Sequence, residues 1–230
     1  MIRRIIMFCL FGFSVIAQAQ STIQPRLYIG VDAFNENLFF NDQGYYGISI
    51  GAEVLKFKFI APEIEVSFYG GTIEKQEQLD ISNLPDGYDG PAPKAVEYIA
   101  GGFKAMVYSF SPKLIFGNAE FAFVFLPKYS FSNVNSYLSQ YKLTPDGSVY
   151  KREQREEMDS YQSFLSLGFG IEGRVFEADK LTLNFTFQYS FFDTRKAFKG
   201  HDINDFENDQ GTRAVGIGFK LYFDPFRSLK

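Results

Sequence analysis

Residues 181–191, LTLNFTFQYSF, decide the fold of this chain. Every odd position in this segment is apolar, and every even position is polar. A period of two sustained over the whole segment predicts a β-strand with one apolar and one polar face. The segment also has the length of a tilted strand that crosses a bilayer, about 9–11 residues.

The same alternation recurs along the chain and predicts eight strands. It is clear in residues 46–54, YGISIGAEV, and in residues 214–223, AVGIGFKLYF. The predicted strands are residues 26–35, 44–56, 60–73, 95–109, 117–134, 158–176, 180–195 and 211–223.

The predicted connections alternate in length. Short turns are expected at 57–59, 110–116 and 177–179, long polar loops at 74–94, 136–157 and 196–210, and an intermediate loop at 36–43. Short turns at one end and long loops at the other are typical of an outer-membrane β-barrel. The sequence therefore predicts an all-β fold, an eight-stranded antiparallel up-and-down transmembrane barrel with both termini in the periplasm.

The N-terminus has the pattern of an export signal. Arg3 and Arg4 precede an apolar run at 5–16, and residues 17–19, AQA, offer the small-x-small motif of a cleavage site. The run is too short to span a bilayer, which takes about 20 apolar residues. The predicted organisation is a cleaved signal peptide, residues 1–19, and one barrel domain, residues 20–230.

The composition after cleavage excludes several function classes. Two of the 23 basic residues leave with the signal peptide, so 21 basic residues face 27 acidic ones and the net charge becomes −6. An acidic chain argues against nucleic acid as a partner. Cys9 is the only cysteine and is also removed, and no Walker, Rossmann or zinc-binding motif is present. We therefore predict no cofactor.

The alternation alone leaves open which face points outward. A soluble barrel of the lipocalin type has the same period with an apolar lumen. In this chain the polar face is rich in small residues such as Gly47, Ser49, Gly51, Gly168 and Gly170, rather than in lysine and glutamate. A narrow eight-stranded interior needs small residues, whereas water does not. The membrane barrel is therefore favoured over the soluble one.

Charges of both signs are predicted on the inner face. Buried charges are tolerated when they are paired, so an even balance is what a closed lumen requires. We predict a lumen charge network that has a structural role or forms a gate, made of Glu53, Glu65, Lys104, Glu120, Lys128, Glu172, Arg174 and Lys220. An eight-stranded barrel is in general too narrow for an aqueous channel.

Several segments resemble outer-membrane β-barrel proteins of the Bacteroidota, in the broad OmpA/OmpX-type small-barrel class. They are residues 45–53, YYGISIGAE, 61–68, APEIEVSF, 125–129, FLPKY, and 216–223, GIGFKLYF. The resemblance implies an outer membrane, contact with membrane lipids and lipopolysaccharide, and insertion by the barrel-assembly machinery. Its recognition signal would be Phe219, Leu221 and Phe223, although the chain continues past Phe223 where family members commonly end.

Candidates for chemistry are few. His201 is the only histidine, and a catalytic interpretation would pair it with a loop serine such as Ser136 or Ser139. The last loop is acidic, through Asp202, Asp205, Glu207 and Asp209, but its spacing does not fit an EF-hand. The favoured function is a non-enzymatic structural or surface-interaction barrel. The alternatives are a lipid A acyltransferase or deacylase at the outer rim, and a secretion accessory of the PorT type.

Overall fold

The computed structural model describes residues 25–36, 44–57, 59–73, 75–79, 90, 94–118, 120–175, 180–203 and 206–225. The predicted signal peptide, the predicted turn at 177–179 and Asp205 lie outside these residues. The described elements are β1 Arg26–Asn35, β2 Gly44–Glu53, β3 Ile60–Thr72, β4 Gln76–Leu79, β5 Ala95–Gly117, β6 Phe121–Leu143, β7 Tyr150–Arg174, β8 Leu181–Ser190, α1 Thr194–Ala197 and β9 Ala214–Phe223. Within these ranges there is no helix long and apolar enough to cross a membrane.

Eight of the nine strands close into an antiparallel barrel. Strands that follow one another in the barrel pair with each other, and β1 pairs with β9 from Leu27↔Phe223 to Asn35↔Val215. The ring is completed by β3 and β5, which pair from Ile60↔Leu114 to Thr72↔Gly102. The predicted up-and-down barrel of eight strands is confirmed. The short β4 pairs only with the outer part of β5 and was not predicted.

The predicted turn at 110–116 is wrong, because β5 runs through this segment to Gly117. The segment contains Pro112, which has no backbone N–H to donate to a ladder. The β5–β6 ladder is interrupted only between Phe110↔Tyr129 and Leu114↔Phe125, a gap that brackets Pro112 and Pro127. Because proline has no backbone N–H to donate, the two strands lose their pairing at this one place and pair normally on either side of it. β5 ends at Gly117 and the antiparallel β6 begins at Phe121, and the Asn118 side chain accepts from the backbone N–H groups of Glu120 and Phe121.

The predicted loop at 136–157 is also wrong, because most of it is strand. β6 and β7 pair as far as Leu143↔Tyr150 and end in a tight turn. At the tip, hydroxyl hydrogen bonds from Thr144 and Ser148 to the Asp146 carboxylate lower the pKa of that carboxyl to about 2. The outer parts of β5, β6 and β7, residues 95–105, 132–143 and 150–164, form with β4 a sheet that we call the projecting sheet.

The two faces of the wall differ as predicted for β8. Asn184, Thr186, Gln188 and Ser190 are buried inside, whereas Phe187 is 63% exposed outside. The same outward exposure of large apolar side chains occurs on all eight barrel strands.

The interior is not uniformly polar, which differs from the sequence prediction. Towards the long loops it holds an aromatic plug, namely Phe34, Tyr45, Tyr69, Phe103, Phe164 and Phe192. The Phe192 ring lies at the centre, with ring centroids of Tyr45, Tyr69, Phe103 and Phe164 at 5.2–5.9 Å. The helix α1 and its following turn close this end through Ala197, Phe198 and Ile203. Towards the short turns the interior is charged.

Candidate functional site: a charged lumen and a capped outer rim

A cluster of eight charged side chains, all buried except the partly exposed Arg26, fills the lumen near the short-turn end. We call it the lumen charge cluster: Arg26, Glu53, Glu63, Glu65, Lys113, Lys128, Glu172 and Lys220. Seven of the eight barrel strands contribute to it. The eighth, β8, contributes the fully buried Asn184, whose register partners are Glu172 and Lys220.

The cluster is one continuous chain of ion pairs. At one end Arg26 contacts Glu53 at 2.6 Å and Glu172 at 2.8 Å. Both carboxylates also contact Lys113, which reaches Glu63 at 2.9 Å. Glu63 in turn contacts Lys220 at 2.9 Å, and Lys220 contacts Glu65 at 2.7 Å. Lys128 closes the chain on Glu65 at 2.7 Å.

Two tyrosines support the lysines from the wall. The ring centroid of Tyr222 lies 4.1 Å from the Lys113 ammonium, and that of Tyr28 lies 4.3 Å from the Lys220 ammonium. Their hydroxyls donate to Glu63 at 2.6 Å and to Glu65 at 3.0 Å. A cation over an aromatic face is attracted most strongly where water is excluded. Each tyrosine therefore holds in place both the lysine and the glutamate of one ion pair.

The cluster contains four acidic and four basic groups. Desolvation of a charge is costly, and a buried pair compensates for it only with good geometry and further hydrogen bonds. Each cation here contacts at least one carboxylate at 2.9 Å or less. The arrangement fills the cross-section of the lumen at this level and links strands that are far apart in sequence. It contains no group poised as a nucleophile beside a base.

Five of the eight residues predicted for the lumen network lie in the cluster: Glu53, Glu65, Lys128, Glu172 and Lys220. Lys104 and Glu120 are exposed instead. On this part of β5 the odd-numbered residues, such as Phe103 and Ala105, face inward. Lys104 is an even-numbered residue and therefore faces outward. Glu120 belongs to the turn that precedes β6. Arg174 lies half-buried at the last position of β7.

The prediction missed Arg26, Glu63 and Lys113. Glu63 alternates with Ile64 in step with Glu65, so the period of two contained the signal for it. Lys113 was missed because residues 110–116 were predicted as a turn. Arg26 is the first residue of β1 and has the same parity as the inward-facing Tyr28, so the period of two contained the signal for it as well.

Small residues make room for these side chains. Gly218 faces inward on β9, and a Cβ atom there would collide with the side chains of Asp32 and Gln188. Gln188 donates a hydrogen bond to Asp32 at the same level of the lumen. The glycines of the inner face thus serve the narrow interior that the sequence indicated.

The outer rim brings together a serine, the histidine and a carboxylate. The Ser136 hydroxyl lies 2.9 Å from His201 Nε2, and His201 Nδ1 lies 3.5 Å from a Glu156 carboxylate oxygen. Burial lowers the pKa of the His201 imidazole, and Glu156 partly opposes this shift. The sequence suggested Ser136 as one partner of His201 but did not suggest Glu156. Ser139, the other serine considered, is buried in β6 opposite Arg155.

The environment of Ser136 differs from that of an accessible nucleophile. Its side chain is completely buried, and its hydroxyl also lies 2.6 Å from the Ala197 carbonyl oxygen in α1. Since a carbonyl can only accept, the hydroxyl proton goes to Ala197, and the His201 Nε2–H donates to the serine oxygen. Glu156 also accepts from the backbone N–H of Asp202 at 2.8 Å. The group fastens the last loop to the barrel wall.

The acidic last loop borders an open cleft of about 370 Å³ beside the projecting sheet. Glu207 and Asp209 line it together with Gln76 and Tyr98. A reciprocal pair of hydrogen bonds between the Gln76 side chain and the Glu207 backbone joins the loop to β4. In the part of the chain that the structure describes, no three histidine, cysteine or acidic side chains converge on a possible metal position.

The predicted assembly signal lies on the outer face of β9. Phe219, Leu221 and Phe223 are exposed and alternate with the buried Lys220 and Tyr222. Phe223 is the last residue of the strand.

No protein-family model matches the chain, and no curated protein matches it. Among solved structures it is similar to Ail of Yersinia pestis in complex with sucrose octasulfate, with 12% identity, a TM-score of 0.36 and coverage of 87% of this chain and 95% of that one. It is also similar to Neisserial surface protein A, with 12% identity, a TM-score of 0.37 and 89% and 98% coverage. The N-terminal β-barrel domain of Pseudomonas aeruginosa OprF shares 10% identity, with a TM-score of 0.32 and 89% and 100% coverage.

Proposed function

We propose that the chain is a non-enzymatic β-barrel of a bacterial outer membrane. It has both termini in the periplasm and a sealed lumen, and it acts through the projecting sheet and the long loops on the cell surface. The observation that carries this proposal is the reversed distribution of polarity: large apolar side chains cover the outside of the wall, and ion pairs fill the inside.

The outer apolar belt has the height of a membrane interior. On β6 the exposed outer side chains run from Phe121 to Phe131 and give way to Asn133 and Asn135. Ten residue steps of about 3.3 Å, on a strand tilted by about 40°, give a height of about 25 Å. This is the height of the apolar band in outer-membrane barrels. Soluble monomers rarely expose apolar patches larger than a few hundred Å².

The lumen argues against transport. The lumen charge cluster blocks the periplasmic half, and the aromatic plug around Phe192 blocks the outer half. The described part of the last loop is joined to its surroundings, for example where Glu36 accepts from the backbone N–H of Gly211 at 2.6 Å. Any specific activity therefore belongs to the outer surface.

The proposal is tested by fractionating cells that express the full chain and by comparing heated and unheated samples on a detergent gel. An inserted barrel is recovered with the outer membrane and changes its mobility on heating. In planar bilayers the purified protein should pass no steady current. Recovery in the soluble fraction, or a mobility that heating does not change, refutes the membrane barrel.

The contacts among Ser136, His201 and Glu156 support a second candidate function, a lipid-modifying acyl-transfer enzyme at the outer rim. Acyl transfer needs a serine that a base can deprotonate and a substrate can reach. The burial of Ser136 under α1 opposes this candidate. Lipid A from cells with Ser136→Ala should have the same composition as lipid A from cells with the unchanged protein. A difference between the two would favour the enzyme.

A further inference from the structure

The outer wall of the barrel has a hollow over the seam where β1 and β9 pair. We call it the aliphatic hollow; it has a volume of about 410 Å³ and is open to the outside. Its floor is formed by outward side chains of β8, β9, β1 and β2, namely Ile29, Val31, Ile48, Ile50, Leu183 and Leu221, with Phe219 beside them. Each of these side chains is between 36% and 62% exposed, so no other part of the described chain covers the hollow.

Aromatic side chains surround the aliphatic hollow. Strand register places Phe68 beside Ile48 on one side, and Phe185 beside Phe219 on the other, where the two ring centroids are 4.8 Å apart. Tyr46, two residues from Ile48 towards the long loops, is 70% exposed. The other side of the barrel exposes a series of phenylalanine rings, namely Phe110, Phe116, Phe121, Phe123, Phe131 and Phe169. Branched aliphatic side chains are shorter than these rings, so the wall is recessed where they lie together.

The depth of the aliphatic hollow follows from its position on β9. Phe223 is the outward residue nearest the short-turn end of this strand, and Leu221 and Phe219 lie two and four residues further into the belt. Two residue steps on a strand tilted by about 40° rise about 5 Å. The hollow therefore lies about 5–10 Å inside the short-turn border of a belt about 25 Å high. This half of the belt faces the leaflet on the short-turn side.

We propose that the aliphatic hollow binds one fatty acyl chain of a phospholipid from the leaflet on the short-turn side. The inference rests on the proposed membrane insertion, and it names a lipid partner for the same outer belt. The hollow is continuous with that belt, so insertion brings lipid chains to it. A methylene group is similar in size to a water molecule, which occupies about 30 Å³ in the liquid. The hollow therefore has room for about 14 such groups, which is most of one chain.

Binding at this depth depends on contact rather than on removal of apolar surface from water. Lipid chains are as apolar as the wall, so association inside a bilayer comes from van der Waals packing. A chain on the convex wall touches protein along one side, whereas a chain in the hollow also touches the surrounding rings. The β-branched side chains of Ile29, Val31, Ile48 and Ile50 are stiff and lie on paired strands. The floor is therefore preformed, and binding orders little of the protein.

The concave shape predicts which chains the aliphatic hollow prefers. A gap of about 0.5–1 Å already removes about a quarter to a half of the attraction between two atoms. Branches on a chain produce such gaps by holding it away from a surface. On the convex wall the branches can turn towards neighbouring lipids, whereas in the hollow the protein surrounds the chain. We therefore expect a straight chain to be favoured over a branched chain in the hollow but not elsewhere on the belt.

A single tryptophan can report on each place, because the sequence contains none. Phe219→Trp places the reporter in the aliphatic hollow. Phe169→Trp is the matched control, because Phe169 stands opposite Phe125, four residues from the short-turn border of β6 at Phe121. The two reporters therefore lie at the same depth on different sides of the barrel.

The variants are inserted into vesicles of a phospholipid that carries two bromine atoms on each chain. Bromine is about as large as a methyl group, so these chains are branched, and bromine quenches the fluorescence of a tryptophan that it touches. A phospholipid with straight saturated chains is then mixed in at increasing share, and the share that restores half of the fluorescence is measured. Flotation in a density gradient and the heat-dependent mobility shift report insertion and folding.

The share of straight-chain lipid that restores half of the fluorescence should be about threefold lower for Phe219→Trp than for Phe169→Trp. Val31 stands opposite Phe219 on the neighbouring strand, so Val31→Phe places a ring in the aliphatic hollow. Combined with Phe219→Trp, it should raise this share to the value of the control. Val96→Phe makes the same substitution on the projecting sheet and should leave the preference for straight chains unchanged.

The possible outcomes separate this inference from the proposed function. Protein that does not float with the vesicles, or a Phe169→Trp variant that bromine does not quench, overturns the proposed function and this inference with it. Quenching in Phe169→Trp without quenching in Phe219→Trp would mean that another protein surface, such as a second copy, covers the hollow. Equal shares for the two reporters, or a preference that survives Val31→Phe, would mean that the hollow binds no chain. These last results overturn the inference and leave the membrane barrel intact.

Discussion

Replacing Lys113 with methionine should destabilise the barrel by about 3–5 kcal/mol, which is the usual cost of removing one partner from a buried ion pair. Lys113 is completely buried and contacts Glu53, Glu63 and Glu172 at 2.7–2.9 Å. After the substitution Arg26 still serves two of these carboxylates, and Lys220 still serves the third. One surplus negative charge nevertheless remains in the lumen, so we expect the upper half of the range.

The assay is unfolding in urea of the protein inserted in phospholipid vesicles, followed by the heat-dependent mobility shift. Lys104→Met provides the control, because the same change on the exposed outer face should alter the free energy of unfolding by no more than about 0.5 kcal/mol. A second variant separates charge from packing. Combining Lys113→Met with Glu63→Gln restores a neutral cluster, and it should recover at least half of the lost stability.

Two results would refute this reasoning. A loss below about 1 kcal/mol for Lys113→Met would mean that the ion pairs contribute little beyond filling the lumen. A double variant no more stable than Lys113→Met alone would mean that the loss comes from packing rather than from the surplus charge.

Three further predictions follow from the wall, the plug and the rim. Phe187→Arg, at the centre of the outer belt, should cost about 2–4 kcal/mol in vesicles, whereas Asn135→Arg, above the belt, should be nearly neutral; equal effects would contradict the membrane position. Phe192→Ala should cost about 3–5 kcal/mol by emptying the centre of the plug. The variant should still pass no current in planar bilayers, because the lumen charge cluster remains, and a steady current would show that the plug is the main seal. The pKa of His201 is lowered in the folded chain, so stability is complete above its unfolded pKa of about 6.5 and declines below it as the unfolded imidazole binds a proton. Proteolysis of the last loop should therefore accelerate at acid pH, and His201→Gln should abolish that pH dependence; a variant with the same dependence would assign it elsewhere.

The fold was largely predictable because its main signal is local. The strict alternation at 181–191 identified β8 and its two faces, and the same period located every other barrel strand within the chain. The errors fall where a local signal opposes the long-range pairing. Residues 110–116 were predicted as a turn, yet the strands paired on either side carry β5 through this segment. The polar composition of residues 136–157 indicated a loop, although pairing between β6 and β7 makes most of it strand.

The sequence predicted the kind of site, a network of charges in the lumen, but only some of the residues that form it. A balanced set of inward charges was expected, and Glu53, Glu65, Lys128, Glu172 and Lys220 lie in it. Lys104 was misplaced because the sequence suggested a polar inner face along the whole strand. The structure has an apolar inner face at that level, so the polar positions of β5 there point outward.

The sequence by itself determined that this chain forms strands with one apolar and one polar face, because the side chains of a strand alternate between its two faces whatever the partner strands are. The small residues on the polar face then favoured an apolar outside. Only the tertiary structure decided which charges meet. Glu63 and Lys220 are 157 residues apart, and their contact depends on the stagger of strands around the closed ring. The same holds for Ser136 and His201, which are 65 residues apart and meet only because α1 folds back over the barrel. A period of two carries no information about stagger, so distances across the lumen required the folded chain.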